Sequence, residues 1–179
     1  MATKSIGATG RDYATFALHA SYIDGLNILG AAEIGEAYND SEFAVAGVVG
    51  NYTGAVPSAL FPLTLRCATG HSFRDNAGIQ TNELRYNASN GVALRATATA
   101  YAAVLTGDLP FTTIDGLQLS AGATNNRGII WSGASLTVQN CIIEGNSVQA
   151  GLFTGATSVI RNNLFVQRRA DGGGNGLNV

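Results

Sequence analysis

Along the C-terminal half of the chain, short apolar runs alternate with Gly and Asn at a loose period. One copy reads Gly128-Ile129-Ile130-Trp131, then Val138-Gln139-Asn140-Cys141-Ile142-Ile143, and the next reads Gly151-Leu152-Phe153, then Ile160-Arg161-Asn162-Asn163-Leu164-Phe165. Gly128 and Gly151 are 23 residues apart, and Val138 and Ile160 are 22 apart. A period of this size, carried by strands too short to bury an apolar face alone, predicts a stacked β-solenoid. Ile114-Asp115-Gly116-Leu117-Gln118-Leu119 has the same shape 24 residues before Val138, so three strands of one sheet are expected in register. Leu117, Leu119, Val138, Cys141, Ile143, Ile160 and Phe165 are the expected apolar stack. Gly176-Leu177-Asn178-Val179 reads as the start of a further copy without its second half. The expectation there is an apolar end covered by a further domain, a neighbouring subunit or the surface of a larger particle.

Upstream the pattern changes. Phe16, Ala20 and Ile23 fall on one face at helical spacing after Asp12, which predicts a helix over Tyr13 to Tyr22 with Asp12 as its N-cap. A second helical stretch is expected over Ala31 to Tyr38, carrying Glu33 and Glu36. Glu42 to Val49 and Pro62 to Ala68 read as strands, followed by Leu84 to Tyr86 and Gly91 to Leu94. The chain thus divides into an N-terminal cap or attachment region over residues 1–60 and a parallel β region over residues 61–179, incomplete at its C-terminal end. Gly116, Asn140 and Asn162 recur at the third place of their segments. Asn tolerates left-handed backbone, and a structural turn or ladder is the role expected of Asn140 and Asn162.

Only 12% of the residues are charged and the formal net charge is −2. Nucleic-acid binding needs a basic footprint, and Arg168-Arg169, the only adjacent basic pair, reads as a solvated loop. No apolar stretch is long enough for a membrane span, and Met1 to Ser5 lead into polar sequence rather than a signal peptide. Cys67 and Cys141 sit within apolar strand patterns and read as buried free thiols, with a disulfide between them as the lesser alternative and no zinc spacing.

Candidate chemistry is sparse. Asp115 has Gln139 and Arg161 as its expected neighbours on successive strands, with Gln139 holding the acid and the base ~10 Å apart at ~4.8 Å per strand. Glu144 is expected beyond the end of the next strand, and neither acid has the partner that paired-carboxylate hydrolysis requires. His19 on the first helix and His71 in a Gly-rich loop have no metal spacing. Gly172-Gly173-Gly174-Asn175-Gly176 lacks the Lys and following helix of a phosphate loop. The sequence therefore assigns no catalytic, cofactor-binding or metal-binding residue, and no cofactor.

Two stretches carry a family resemblance. Gly10-Arg11-Asp12-Tyr13-Ala14-Thr15-Phe16 resembles the Gly-Asp-Tyr-x-Thr lead-in to an N-terminal capping helix, and Val138 to Ile143 resembles a Val-x-Asn-Cys-x-Ile strand. Both are similar to the pectin lyase-like superfamily, which implies an all-β, right-handed parallel β-helix with a short N-terminal capping helix. An initial Met, low charge and a helix-capped solenoid also resemble virion proteins of tailed bacteriophages. That resemblance implies a non-enzymatic structural protein of a phage particle, either a capsid decoration or a particle-proximal fibre or spike segment that extends or stiffens the viral surface. Its expected partners are other virion proteins and further copies of itself, a trimer preferred, with a surface glycan as an optional ligand. Its expected location is the virion, assembled in the host cytoplasm. The alternative is a carbohydrate-active or carbohydrate-binding β-helix protein, because one scaffold serves several functions. An adhesin or surface-layer module, the third reading, would require export.

Overall fold

A computed structural model describes residues 1–76, 85–97, 103–121, 127–145, 152–154, 157–167 and 177–178. The Gly172 to Gly176 run lies outside the described residues. The protein is mostly β, with its strands in three parallel sheets. The first sheet has six strands in the order β1 (Ala2–Ile6), β2 (Glu33–Ala37), β5 (Leu63–Cys67), β8 (Thr112–Asp115), β11 (Thr137–Gln139) and β14 (Val159–Arg161). The second contains β3 (Phe43–Val45), β6 (Ala93–Ala96), β9 (Gln118–Ala121), β12 (Ile142–Gly145) and β15 (Leu164–Gln167). The third contains β4 (Gly50–Tyr52), β7 (Ala103–Gly107), β10 (Arg127–Trp131), β13 (Leu152–Thr154) and β16 (Leu177–Asn178). From β2 onward the chain visits the three sheets in the same order five times, each strand adding beside its predecessor. The first sheet runs across the boundary at residues 60 and 61, since β2 pairs with both β1 and β5.

Register explains the apolar periodicity. Gly35, Leu65, Ile114, Val138 and Ile160 align across the first sheet, and Leu65, Ile114 and Val138 are wholly buried. Phe43, Leu94, Leu119, Ile143 and Phe165 align across the second. These columns meet one another in a single apolar cluster between the sheets, with Ile160 and Phe165 partly buried at its edge. Alternate residues, such as Thr64, Thr113 and Thr137, align on the outer face, as a period of two requires. In the third sheet Tyr52, Gly107 and Trp131 align. A Cβ on Gly107 would come within 2.6 Å of the Trp131 ring, so the missing side chain makes room for the indole.

The Val138 and Ile160 strands lie in one sheet, in register with Ile114. Each repeated six-residue segment is nevertheless two strands rather than one. The first half pairs in the first sheet and the second half in the second, and the chain bends between them at Gly116 (φ 77), Asn140 (φ 56) and Asn162 (φ 54). Left-handed backbone breaks the extended run, and Gly and Asn adopt it at least cost.

The helix α1 (Phe16–Gly25) buries Phe16, His19, Ala20 and Ile23, the face expected from sequence. Its N-cap is Thr15, whose Oγ1 accepts from the Leu18 N–H at 3.2 Å. Asp12 is not the cap. It accepts from the backbone N–H and hydroxyl of Ser5, both at 2.8 Å, and fixes the turn leaving β1. Phe16 meets Phe43 edge-on at 5.0 Å, and the Tyr52 hydroxyl faces the Phe16 carbonyl, so α1 lies over the edge strands β3 and β4.

The expected helix over Ala31 to Tyr38 is instead the strand β2. Pairing on both sides overrides the helical reading of this segment, and the alternation sends Glu36 outward to Arg66 while Glu33 turns toward Tyr22. Gly35 has a specific reason to be small: a Cβ there would lie 2.6 Å from Cε1 of His19. Among the described residues, no helix is long and apolar enough to cross a membrane.

Candidate surface groove

Where the first sheet turns into the second, the αL residues Gly116, Asn140 and Asn162 form a column of bends. Beside this column stands a wall, the loop leading into α2 (Phe73–Asn76). Between them lie two adjoining hollows of about 250 and 460 Å³ that share Arg74. Arg66, Asp115 and Ser72 line the first, and Phe73, Asn140, Asn162 and Asn163 line the second.

The wall is held by its own hydrogen bonds. Asp75 accepts from the Ser72 backbone and hydroxyl, which hold its carboxyl below the usual range, and Asn76 donates to the carbonyls of Gly70 and Ser72. Gly91 packs against the backbone of Ser72 and Phe73 so closely that a Cβ would lie 2.3 Å from the Phe73 nitrogen. Gln118, fully buried on β9, bonds Asn87 twice and Gly91 once, and so ties that segment to the second sheet.

Arg66 and Asp115, which line the first hollow, belong to a polar ladder across the first sheet. Ser5, Glu36, Arg66, Asp115, Gln139 and Arg161 align on successive strands of the first sheet. Arg66 donates to Glu36 from Nε and Nη2 at 3.2 and 2.9 Å. Asp115 accepts from Gln139 Nε2 at 2.9 Å and from Asn140 Nδ2 at 2.7 Å, while Arg161 Nε donates to Gln139 Oε1 at 2.8 Å. Gln139 therefore bridges Asp115 and Arg161, as its expected place between them requires. Each Asp115 oxygen already takes an amide donor, an arrangement suited to orienting side chains. Asn140 is in the left-handed region as expected, and its side chain also braces Asp115.

Other sequence candidates lie apart from the groove. Glu144 is in β12 rather than beyond it, buried, and accepts from the Ser120 hydroxyl at 2.8 Å. His71 Nδ1 accepts from the Asn39 N–H at 3.1 Å, and its ring meets Tyr38 edge-on. His19 is wholly buried under α1, with Nδ1 3.1 Å from the Tyr52 hydroxyl, and burial lowers its pKa to about 4. Cys67 and Cys141 are free; burial raises both thiols, Cys141 to about 12, which leaves them protonated and unreactive at neutral pH. Among the described residues no group of three or more His, Cys, Asp or Glu side chains could hold a metal ion.

Sequence reasoning did not single out Arg66, Phe73 or Arg74. Arg66 reaches Asp115 only through the β5–β8 pairing, across a long excursion that breaks the short period, and the wall residues belong to no repeat. Chemically, the groove offers guanidinium and amide donors, two carboxylates in Asp75 and Asp115, and the aromatic ring of Phe73. Comparison with protein-family models, curated proteins and solved structures gives no match.

Proposed function

We propose that this chain is a structural protein of a bacteriophage particle, a capsid decoration or the particle-proximal segment of a fibre or spike, and that its three sheets form a right-handed parallel β-helix. The observation that carries this reading is the in-register return of the chain to the same three parallel sheets, with α1 over one end. Such an arrangement buries each apolar column only against its neighbours and makes a stiff extended body. Resemblance at Gly10 to Phe16 and at Val138 to Ile143 supports the right-handed β-helix, and low charge with a helix-capped solenoid supplies the link to virion proteins. Other virion proteins are its partners in this reading. The test is fractionation of a phage lysate from the producing host, with antibody against the chain. Co-sedimentation with intact particles, and labelling of their surface, is the expected result; its presence only in the particle-free fraction would overturn the proposal.

The groove favours a second reading, a carbohydrate-binding protein on the same scaffold. Phe73 offers an apolar ring face, while Arg74, Asn140, Asn162 and Asn163 offer the hydrogen-bonding groups that orient a polar ligand. A glycan array, followed by calorimetry with Arg74→Ala, tests it. Binding lost in that variant supports the second reading, and catalytic turnover abolished by Asp115→Asn would make the protein an enzyme.

A further inference from the structure

No residue between Glu42 and Arg66 is charged, and the structure places much of that stretch on the surface. Leu60 is 81% exposed, and Val56 and Phe61 are also open to solvent. Ile28, 73% exposed, forms a parallel bridge with Val56. Leu60 and Phe61 occupy a turn closed by hydrogen bonds in both directions between Ser58 and Phe61. On the next level the Leu63 N–H donates to the Phe111 carbonyl, and the Phe111 side chain is exposed as well. These five large apolar side chains mark one region of the stack, at the corner where the third sheet turns into the first. Farther along that corner Ser135 and Thr157 take the place of Phe111.

Phe111 adds a second observation. Its φ of 48° is left-handed, a conformation that costs an L-residue about 1–2 kcal/mol. The bend recurs at Ser135 and Thr157, but at Phe111 it holds a large apolar ring partly open to solvent.

We infer that this corner is the surface through which one copy of the chain binds another. The occupant follows from charge and area. Interfaces between copies of one chain are the more apolar kind, with charged residues depleted at their centre, and Ile28, Val56, Leu60, Phe61 and Phe111 bring no charge. Their exposed surface is on the order of 600 Å², the upper end of what an ordinary monomer shows in one patch. With neighbouring Ala59 and Pro62 the corner approaches the ~800 Å² per partner of a standard interface. The inference does not depend on the phage reading, since self-association requires no particle.

Sedimentation equilibrium of the full chain from low to high micromolar concentration tests it, with Leu60→Lys and Ile28→Lys as variants. Both side chains are exposed, so unchanged melting curves are expected; Leu60→Gln replaces any lysine variant whose melt shifts. A reversible oligomer whose dissociation constant rises at least tenfold in each variant supports the inference. A wild-type monomer at high micromolar concentration overturns it, as does an oligomer indifferent to both substitutions. A monomer that instead binds another virion protein through Leu60 would also overturn it, while leaving the particle reading intact.

Discussion

Two corners of the stack use the same backbone conformation with different residues. At the turn from the first sheet to the second, the left-handed residues in register on the last three levels are Gly116, Asn140 and Asn162; at the turn from the third to the first they are Phe111, Ser135 and Thr157, while Gly70 and Gly54 serve the longer turns of the earlier level. The first set meets the steric demand with residues that accept it readily, and Asn140 uses its side chain to brace Asp115. The second set carries the conformation on residues with no such tolerance. Ser135 recovers part of the cost by donating its N–H to the Thr157 hydroxyl of the next level at 3.1 Å. Repeated geometry thus does not require repeated sequence: pairing above and below can hold a bend whose own residue disfavours it.

The largest expected effect tests how rigid the less tolerant corner is. A Cβ on Gly133 would lie 2.4 Å from the Leu109 carbonyl oxygen and 2.5 Å from that of Asp108, both backbone atoms of the preceding level. The Leu109 oxygen also accepts from Trp131 Nε1 at 2.9 Å, so the corner cannot move without disturbing the indole. Gly133→Ala should cost about 3 kcal/mol and lower Tm by roughly 10 °C. A variant melting within a degree of wild type would show that this corner yields freely.

Acid separates both corners from the capped end. His19 is held neutral by burial, with its pKa lowered to about 4, whereas an unfolded His titrates near 6.5. Its folded pKa lies below its unfolded one, so the stabilisation is complete above pH 6.5 and is lost as pH falls toward 4. The change amounts to about 3 kcal/mol from this group. Glu33 and Asp24, whose carboxyls burial raises, offset part of it as they protonate. Urea denaturation at pH 7 and pH 5 should show a fall in stability that His19→Gln abolishes. The same fall in that variant would assign acid sensitivity elsewhere.

A smaller effect compares the corners directly. Asn140→Ala forfeits the Asp115 hydrogen bond and places a Cβ residue without αL tolerance at the bend, for about 2 kcal/mol. Asn140→Gly keeps the backbone tolerance and should cost less than about 1 kcal/mol. Ser135→Ala should change stability by less than about 0.5 kcal/mol, because Ser already bears the conformational cost. Equal losses for the two alanine variants, read from urea midpoints, would remove the distinction between the corners.

That distinction also explains what the sequence made legible. Gly116, Asn140 and Asn162 stand out because their residue types match their conformation, and with Ile114, Val138 and Ile160 they reveal a stack in register. What they hide is that each segment bends into a second sheet, since apolar spacing looks alike on both sides of a corner. Phe111 carries no local mark of left-handed backbone. Glu33 to Ala37 read as helix because only pairing with β1 and β5, and His19 against Gly35, make it strand. The groove was legible on one side alone: Asp115, Asn140 and Asn162 follow from the period, whereas Phe73 and Arg74 stand on an excursion outside it.

The last effect is a gain rather than a loss, and it falls on Phe111, where the two corners can be made alike. Asn at this position would relieve αL strain, and the exposed ring gives up little packing in leaving. Phe111→Asn should therefore stabilise the isolated chain by up to about 1 kcal/mol, or raise Tm by roughly 2–4 °C. If the corner is the self-association surface, the same variant should dissociate more readily although each copy folds more firmly. Melting and sedimentation then move in opposite directions, which ordinary loss of a core contact cannot produce. A variant that loses stability would mean that the ring contributes more to packing than the bend costs, and the corner's strain would have no need of a partner.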